Sequence, residues 1–267
     1  MKIHPTAIVD PGAQLAGDVE VGPYSVIGPG ARIGEGTVIA NGVTILGRTT
    51  IGRECGIQTG SIVGSDPQDL KFRGEESSVL IGDRNKIREY VTVHRGTSGG
   101  GGVTVIGDDN LIMAQCHVAH DCRIGSGVVM ANFAALGGHV VVEDRARLSG
   151  HVGVHHFVSV GELAFVGGLA KVVQDVPPYM MADGHPAKIR GLNLEGLRRA
   201  HLSQEAIAAL KEAYRLLYRA QLSRTQAMAD ISSSPAGEVH EVRRLLEFLG
   251  RSERGRQGRA MEAFRGD

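Results

Sequence analysis

The feature that most constrains this chain is an aliphatic residue that recurs every six positions. Ile3, Val9, Leu15, Val21, Ile27 and Ile33 begin the series, which runs on through Ile39, Ile45, Ile51 and Ile57. A polar segment, Ser65 to Ser78, interrupts it without disturbing the phase, which returns at Ile81, Ile87 and Val93. A glycine-rich insertion, Gly99 to Gly102, then moves the phase by one residue. The period resumes at Ile106, Ile112 and Val118 and continues to Val160, Val166 and Val172.

A six-residue period with small residues at fixed offsets is the signature of a hexapeptide β-helix. Each hexad supplies a short strand and a turn, and three hexads close a triangular coil of about 18 residues. Stacked coils are spaced by roughly 4.8 Å, the strand–strand distance, so the backbone ladder runs the length of the solenoid. With one aliphatic side chain per hexad pointing inward, such a core needs few large rings. The composition agrees: aromatics are 4% of the 267 residues, Trp is absent and there are 38 glycines. A second small position four residues after the aliphatic one takes Ala7, Ala13, Ala31, Val43, Cys55, Cys116 and Cys122. All three cysteines thus read as small buried hydrophobes. Their odd number and the lack of a signal-peptide core point to a reducing, cytoplasmic setting. No apolar run approaches the roughly 20 residues of a transmembrane helix.

The β-helix is expected to end near Pro177-Pro178, because consecutive prolines cannot continue a ladder. Residues 1–191 read as one domain and 192–267 as a small helical one. Ser203 reads as an N-cap with Leu202 and Ile207 as a staple, and a second helix starts near Ser223. A third covers Pro235 to Leu249, with Gly250 beyond its end. Residues 192–267 carry 13 Lys and Arg against 10 Asp and Glu. That surplus suits an acidic partner, with Arg215, Arg219, Arg243 and Arg244 as docking candidates.

Folding the repeat on paper brings chemistry together. Hexads that start at Val118, Leu136 and Val154 stack on one face, which gathers His117, His120, His139, His155 and His156. Imidazole takes and returns protons near neutral pH, so an aligned group of five points to acid–base catalysis. Asp121 follows His120 directly, and a turn there would bring its carboxylate to the ring. A metal site is the competing explanation for clustered histidines; against it, no Cys or carboxylate cluster is expected beside them.

The segment His117-Val118-Ala119-His120-Asp121-Cys122 resembles the active-site stretch of the bacterial UDP-N-acetylglucosamine 3-O-acyltransferases. So do Asp66-Pro67-Gln68-Asp69-Leu70-Lys71, Ile81-Gly82-Asp83-Arg84-Asn85, His94-Arg95-Gly96-Thr97, Gln174-Asp175-Val176-Pro177-Pro178-Tyr179 and Asn193-Leu194-Glu195-Gly196-Leu197-Arg198-Arg199. These lie in family order across most of the chain. The resemblance implies a left-handed parallel β-helix with a C-terminal helical domain, assembled as a homotrimer with active sites between subunits. It implies UDP-N-acetylglucosamine as acceptor and an (R)-3-hydroxyacyl-acyl carrier protein as donor, in the first step of lipid A biosynthesis. No cofactor, metal or nucleic-acid partner is implied. His120 would be the general base, oriented by Asp121, and the Gly138 N–H would stabilise the oxyanion. Asp69, Lys71, His117, His139, His155 and His156 would contact substrate, Asn193, Glu195 and Arg199 the nucleotide, and Gly168 would set the acyl length. His156, where the family commonly has Gln, and Ala200, where a second arginine is frequent, depart from the pattern near the nucleotide.

Other readings compete. The same chemistry on a UDP-3-amino sugar uses the same residues. The related lipid A N-acyltransferase carries an additional N-terminal domain, whereas the repeats here begin at Ile3. A zinc hydratase of the γ-carbonic anhydrase type needs a His-x4-His pair, and His117 to His120 is too close. An ice-binding or scaffolding β-helix favours flat rows of Thr rather than this face of histidines.

Overall fold

The computed structural model describes residues 1–264 and shows a three-sided parallel β-helix closed at its C-terminal end by helices. Its three faces are parallel sheets of eleven, nine and eight strands, the largest ending in one antiparallel strand. Register follows the hexad phase: Val118 pairs with Leu136 and Leu136 with Val154. Across the glycine insertion Val93 still pairs with Val118, and across the polar segment Ile57 pairs with Ile87. Both insertions therefore bulge from a corner and leave the ladder intact. The aliphatic positions stack into a continuous core, with Ile27, Ile45, Ile57, Ile87, Ile112 and Met130 fully buried. Ile3, on the edge strand of its sheet, is 40% exposed.

From Tyr24 onward, most corners hold a residue in left-handed backbone, and these stack into three ridges along the solenoid. One carries Tyr24, Tyr90, Gln115, Phe133, His151 and Leu169; a second carries Glu54, Arg84, Asp109 and Arg145; the third carries Asp121, His139 and Phe157. Left-handed backbone costs a non-glycine residue roughly 1–2 kcal/mol, which the stacked ladder on both sides must outweigh.

The end of the ladder differs from the sequence expectation. Val176 still bridges to Val160, and beyond the prolines Met180–Gly184 adds in parallel to Phe165–Val166 before Ala187–Leu192 turns back antiparallel. Pro177 and Pro178 occupy the corner between, where no ladder N–H is required, and Gly161 leaves room for the Pro178 ring.

Four α-helices follow: α1 (Leu194–Arg199), α2 (Gln204–Tyr218), α3 (Arg224–Ser232) and α4 (His240–Arg254). Ser203 and Ser223 cap α2 and α3 by accepting from Ala206 N and Gln226 N. The expected third long helix is displaced. Pro235–Glu238 forms a 3₁₀ turn, and α4 starts at His240 and runs through Gly250. Burial of Val242, Leu245, Phe248 and Leu249 on one face outweighs the ~1 kcal/mol that an interior glycine costs.

Candidate active site

The strand His117–Val118 delivers the chain to the third ridge, where Val118 turns inward and Asp121 takes φ 61°. That turn folds the carboxylate back under its own neighbour, placing Asp121 Oδ2 2.7 Å from His120 Nδ1. Asp121 Oδ1 accepts from Thr97 N at 2.9 Å, and Oδ2 accepts from Thr97 Oγ1 at 2.7 Å. Burial of Asp121 opposes ionisation, but the bonds from His120 and Thr97 together outweigh it and hold its carboxyl below the usual range. A carboxylate at Nδ1 requires the proton there, which leaves Nε2 of a neutral His120 with its lone pair. The pair can therefore accept a proton and carry the resulting charge against Asp121.

The glycine insertion makes this burial possible. A Cβ at Gly100 would fall 2.0 Å from Asp121 Cγ, and one at Gly96 would fall 2.2 Å from Val103 N. Only glycine lets the insertion close over the carboxylate. Thr97, Gly96 and Gly100 were not assigned roles from sequence; the signal was the phase shift itself, which places glycine one coil before the histidines.

One coil further on, a Cβ at Gly138 would meet His120 Cε1 at 2.5 Å, so glycine there lets the ring lie flat against the next corner. The Gly138 N–H donates to His156 Nδ1 at 2.9 Å. His139 stands edge-on to His120 at 5.1 Å and stacks on Phe157 at 4.5 Å. Its burial lowers its pKa, which favours the neutral ring.

These groups open onto a cavity of about 830 Å³. Asp69 and Lys71 of the polar segment line it on one side, and His120, His139, His155 and His156 on the other. His117 is not among the lining residues; half-buried on its strand, it is bonded through Nδ1 to Thr92 Oγ1 at 2.7 Å and lies edge-on to His94 at 4.9 Å. His94 is 5% exposed, and burial pushes its pKa down to about 4.

Other expected site residues lie elsewhere on the chain. Asn193 caps α1 by accepting from Gly196 N and donates to Leu163 O, while Glu195 and Arg199 pair with each other on the exposed side of α1. Gly168 sits beside Leu169 on the first ridge, where an added Cβ would be 3.6 Å from Gly150 O. Of the docking arginines, Arg215 pairs with Glu212 and Arg219 lies over the Tyr214 ring. Arg244 reaches Glu143 and Glu162 on the β-helix, and Arg243 is exposed.

The carboxylate that joins the histidines is Asp121, as the turn after His120 implied. His120, Asp121 and His139 bring ligand atoms within 4.8 Å of one another, the one such group among the described residues. Both Asp121 oxygens, however, already accept hydrogen bonds, and one of them holds His120 Nδ1. The arrangement is that of an oriented base.

A hexapeptide-repeat coil with an imidazole–carboxylate pair at a corner and a cavity above it fits a class: the hexapeptide-repeat β-helical transferases. Comparison with known proteins narrows the class. The family model described as UDP N-acetylglucosamine O-acyltransferase, domain 2, matches residues 175–256, and the bacterial transferase hexapeptide (six repeats) model matches 1–34 and 103–138. The acyl-[acyl-carrier-protein]–UDP-N-acetylglucosamine O-acyltransferase of Paraburkholderia phymatum is 48% identical over 257 residues, covering 95% of this chain and 98% of that protein. The protein of the same name from Myxococcus xanthus is 48% identical over 254 residues, covering 95% and 98%. The crystal structure of the UDP-N-acetylglucosamine O-acyltransferase from Moraxella catarrhalis superposes with a TM-score of 0.88 at 41% identity, covering 92% of this chain and 96% of that one. The chain belongs to the UDP-N-acetylglucosamine O-acyltransferase family, and its β-helix is the left-handed coil that the motifs implied.

Proposed function

We propose that this acyltransferase moves an (R)-3-hydroxyacyl group from acyl carrier protein to the 3-hydroxyl of UDP-N-acetylglucosamine, the first acylation of lipid A synthesis. The observation that carries the reading is the His120–Asp121 pair at 2.7 Å beside the cavity. His120 Nε2 takes the proton of the sugar hydroxyl as its oxygen bonds to the thioester carbonyl carbon. The tetrahedral oxyanion collapses, the C–S bond breaks, and the imidazolium returns the proton to the leaving thiolate. Positioned acid–base transfer of this kind contributes typically 10²–10⁴-fold. Asp121 orients the ring and offsets its charge during the step.

The Gly138 N–H is the oxyanion donor in this scheme, and one such donor is worth a few kcal/mol. It serves the oxyanion once the His156 ring that accepts from it gives way. Asp69, Lys71, His139, His155 and His156 contact substrate from the cavity wall, and His117 contacts it from the adjoining strand. Asn193, Glu195 and Arg199 hold the nucleotide, and Gly168 limits the acyl chain, across an interface with a second copy. The exposed apolar ridge of Tyr90, Phe133 and Leu169 supports such a homotrimer, because solvated apolar stripes of this kind mark contact surfaces. Residues 1–191 form the catalytic β-helix and 192–267 the helical domain. The three free, buried cysteines support a cytoplasmic setting, and no helix among the described residues is long and apolar enough to cross a membrane.

Mass spectrometry of the products from a panel of acyl-carrier thioesters with UDP-N-acetylglucosamine and its 3-amino analogue tests the reading. An ester product is expected; acylation of the amino sugar alone overturns the acceptor assignment.

A further inference from the structure

Two of the segments that carry the family resemblance meet at one side chain that no step of the reaction uses. The polar loop between Ser65 and Ser78 brings Asp69 and Lys71 to the cavity wall, yet Leu70 between them is 96% exposed. The tip of the loop has no apolar seat on the coil, so contacts at its ends set its path. Lys71 N donates to Asp69 Oδ1 at 2.9 Å and Arg73 N to Glu75 Oε2 at 2.8 Å, bonds that shape the turn without tying it to the β-helix.

The tying contacts converge on Arg95, which follows the strand Thr92–His94. Its backbone N–H donates to Ser65 O at 3.1 Å. Its Nη2 donates to Asp66 Oδ1 at 2.7 Å, and its guanidinium lies over the Phe72 ring, 5.1 Å from the centroid. These two side-chain contacts fall on either side of Asp69 and Lys71. The Arg95 side chain is 19% exposed and does not line the cavity, and its Nε is buried with no acceptor among the described residues. What holds the cation is therefore Asp66 at its edge and the Phe72 ring on its face. A flat guanidinium can make both contacts at once, which an ammonium cannot. At the far end of the loop Glu75 Oε1 accepts from Ser98 Oγ at 3.2 Å, next to the Thr97 that holds Asp121.

We propose that Arg95 is a positioning residue for the transfer: from outside the cavity it latches the polar loop before and after Asp69 and Lys71 and so fixes these two groups for the UDP-sugar. The UDP-sugar is the substrate concerned, because a carboxylate accepts from sugar hydroxyls and an ammonium pairs with a diphosphate. The proposal rests on the reading that Asp69 and Lys71 contact substrate. Arg95 touches neither the substrate nor His120, so its effect falls on binding and leaves the proton transfer alone.

The test measures kcat and KM for UDP-N-acetylglucosamine, at saturating acyl-acyl carrier protein, in the full-length enzyme and its Arg95→Gln, Arg95→Lys, Asp66→Asn and Asp69→Asn variants. Releasing the latch in Arg95→Gln is expected to raise KM about tenfold, less than the ~10²-fold that an ångström of misplacement can cost, while kcat and its pH profile stay near wild type. Arg95→Lys keeps the charge but loses the flat face, and should recover part of the loss. Asp66→Asn changes a side chain that is 70% exposed, which spares the fold, and should raise KM in the same direction. Arg95→Gln added to Asp66→Asn should raise KM by less than it does alone, because both act through one contact. An unaltered KM in both Arg95→Gln and Asp66→Asn, or a fall in kcat at unaltered KM, overturns the proposal; if Arg95→Gln does not fold, an unaltered KM in Asp66→Asn does so alone. An unaltered KM in Asp69→Asn overturns the substrate-contact reading instead.

Discussion

Two ridges of the same solenoid share a backbone and differ in everything else. Asp121 and His139 on the reactive ridge have φ 61° and 62°, and Arg84, Asp109 and Arg145 on the charged ridge have 55°, 58° and 57°. On the charged ridge Arg84 Nε and Nη2 each donate to an Asp109 oxygen at 2.8 Å, in a pair that is about half exposed. On the reactive ridge the Asp121 side chain is fully covered and its partner is an imidazole. The repeat thus offers the same corner many times over, and chemistry appears where an insertion covers it. Water screens the charged ridge and leaves its ion pairs little to contribute. Under the glycine insertion the same kind of carboxylate becomes a fixed charge that selects the tautomer of a base.

The sharpest way to break this contrast is at His120. His120→Ala should leave a folded protein with an unchanged melting temperature while turnover falls by ~10²–10⁴. Near-normal kcat in the pure variant would remove the reactive ridge from the mechanism.

A second effect belongs to the covered side alone. Because burial depresses the folded pKa of His94 to about 4, the unfolded chain takes up its proton first as pH falls. Stability from this residue is complete above the ordinary histidine range, near 6.5, and is lost as pH drops from there toward 4. At roughly 1.4 kcal/mol per pH unit of difference, on the order of 3 kcal/mol is at stake. Urea titrations at a series of pH values should show this slope in the wild type and a flatter one in His94→Gln. Parallel slopes would mean that His94 is not held neutral by its surroundings.

The smallest effect is expected on the open ridge. Asp109→Ala removes the partner of Arg84 yet should give no resolvable change in melting temperature at physiological salt. A clear loss there would show that corner charges matter even when solvated, and would blur the distinction between the ridges.

Much of this molecule was legible from one period. The aliphatic positions and the one-coil step from His120 to His139 follow from that spacing, because they rest on contacts that repeat along the chain, and the cap at Ser203 follows from a local pattern of three residues. The end of the ladder and the true span of α4 were misplaced because local breakers, Pro177-Pro178 and Gly250, were overruled by packing.

Residue order alone determined the solenoid: a hexad repeat with aliphatic residues inward has one way to bury them, and its register is set every 18 residues by the ladder. The tertiary structure decided where the two insertions and the C-terminal segment run. Thr97 reaches Asp121 across 24 residues of sequence, and Arg259 reaches Val173 across 86. Such segments carry no period, so their paths are set only by the surfaces they meet. The same holds for the Gly138 N–H, whose partner His156 lies on the neighbouring coil. A repeat shows that the two coils are adjacent, but which ring turns toward which amide depends on side-chain packing that spacing does not encode.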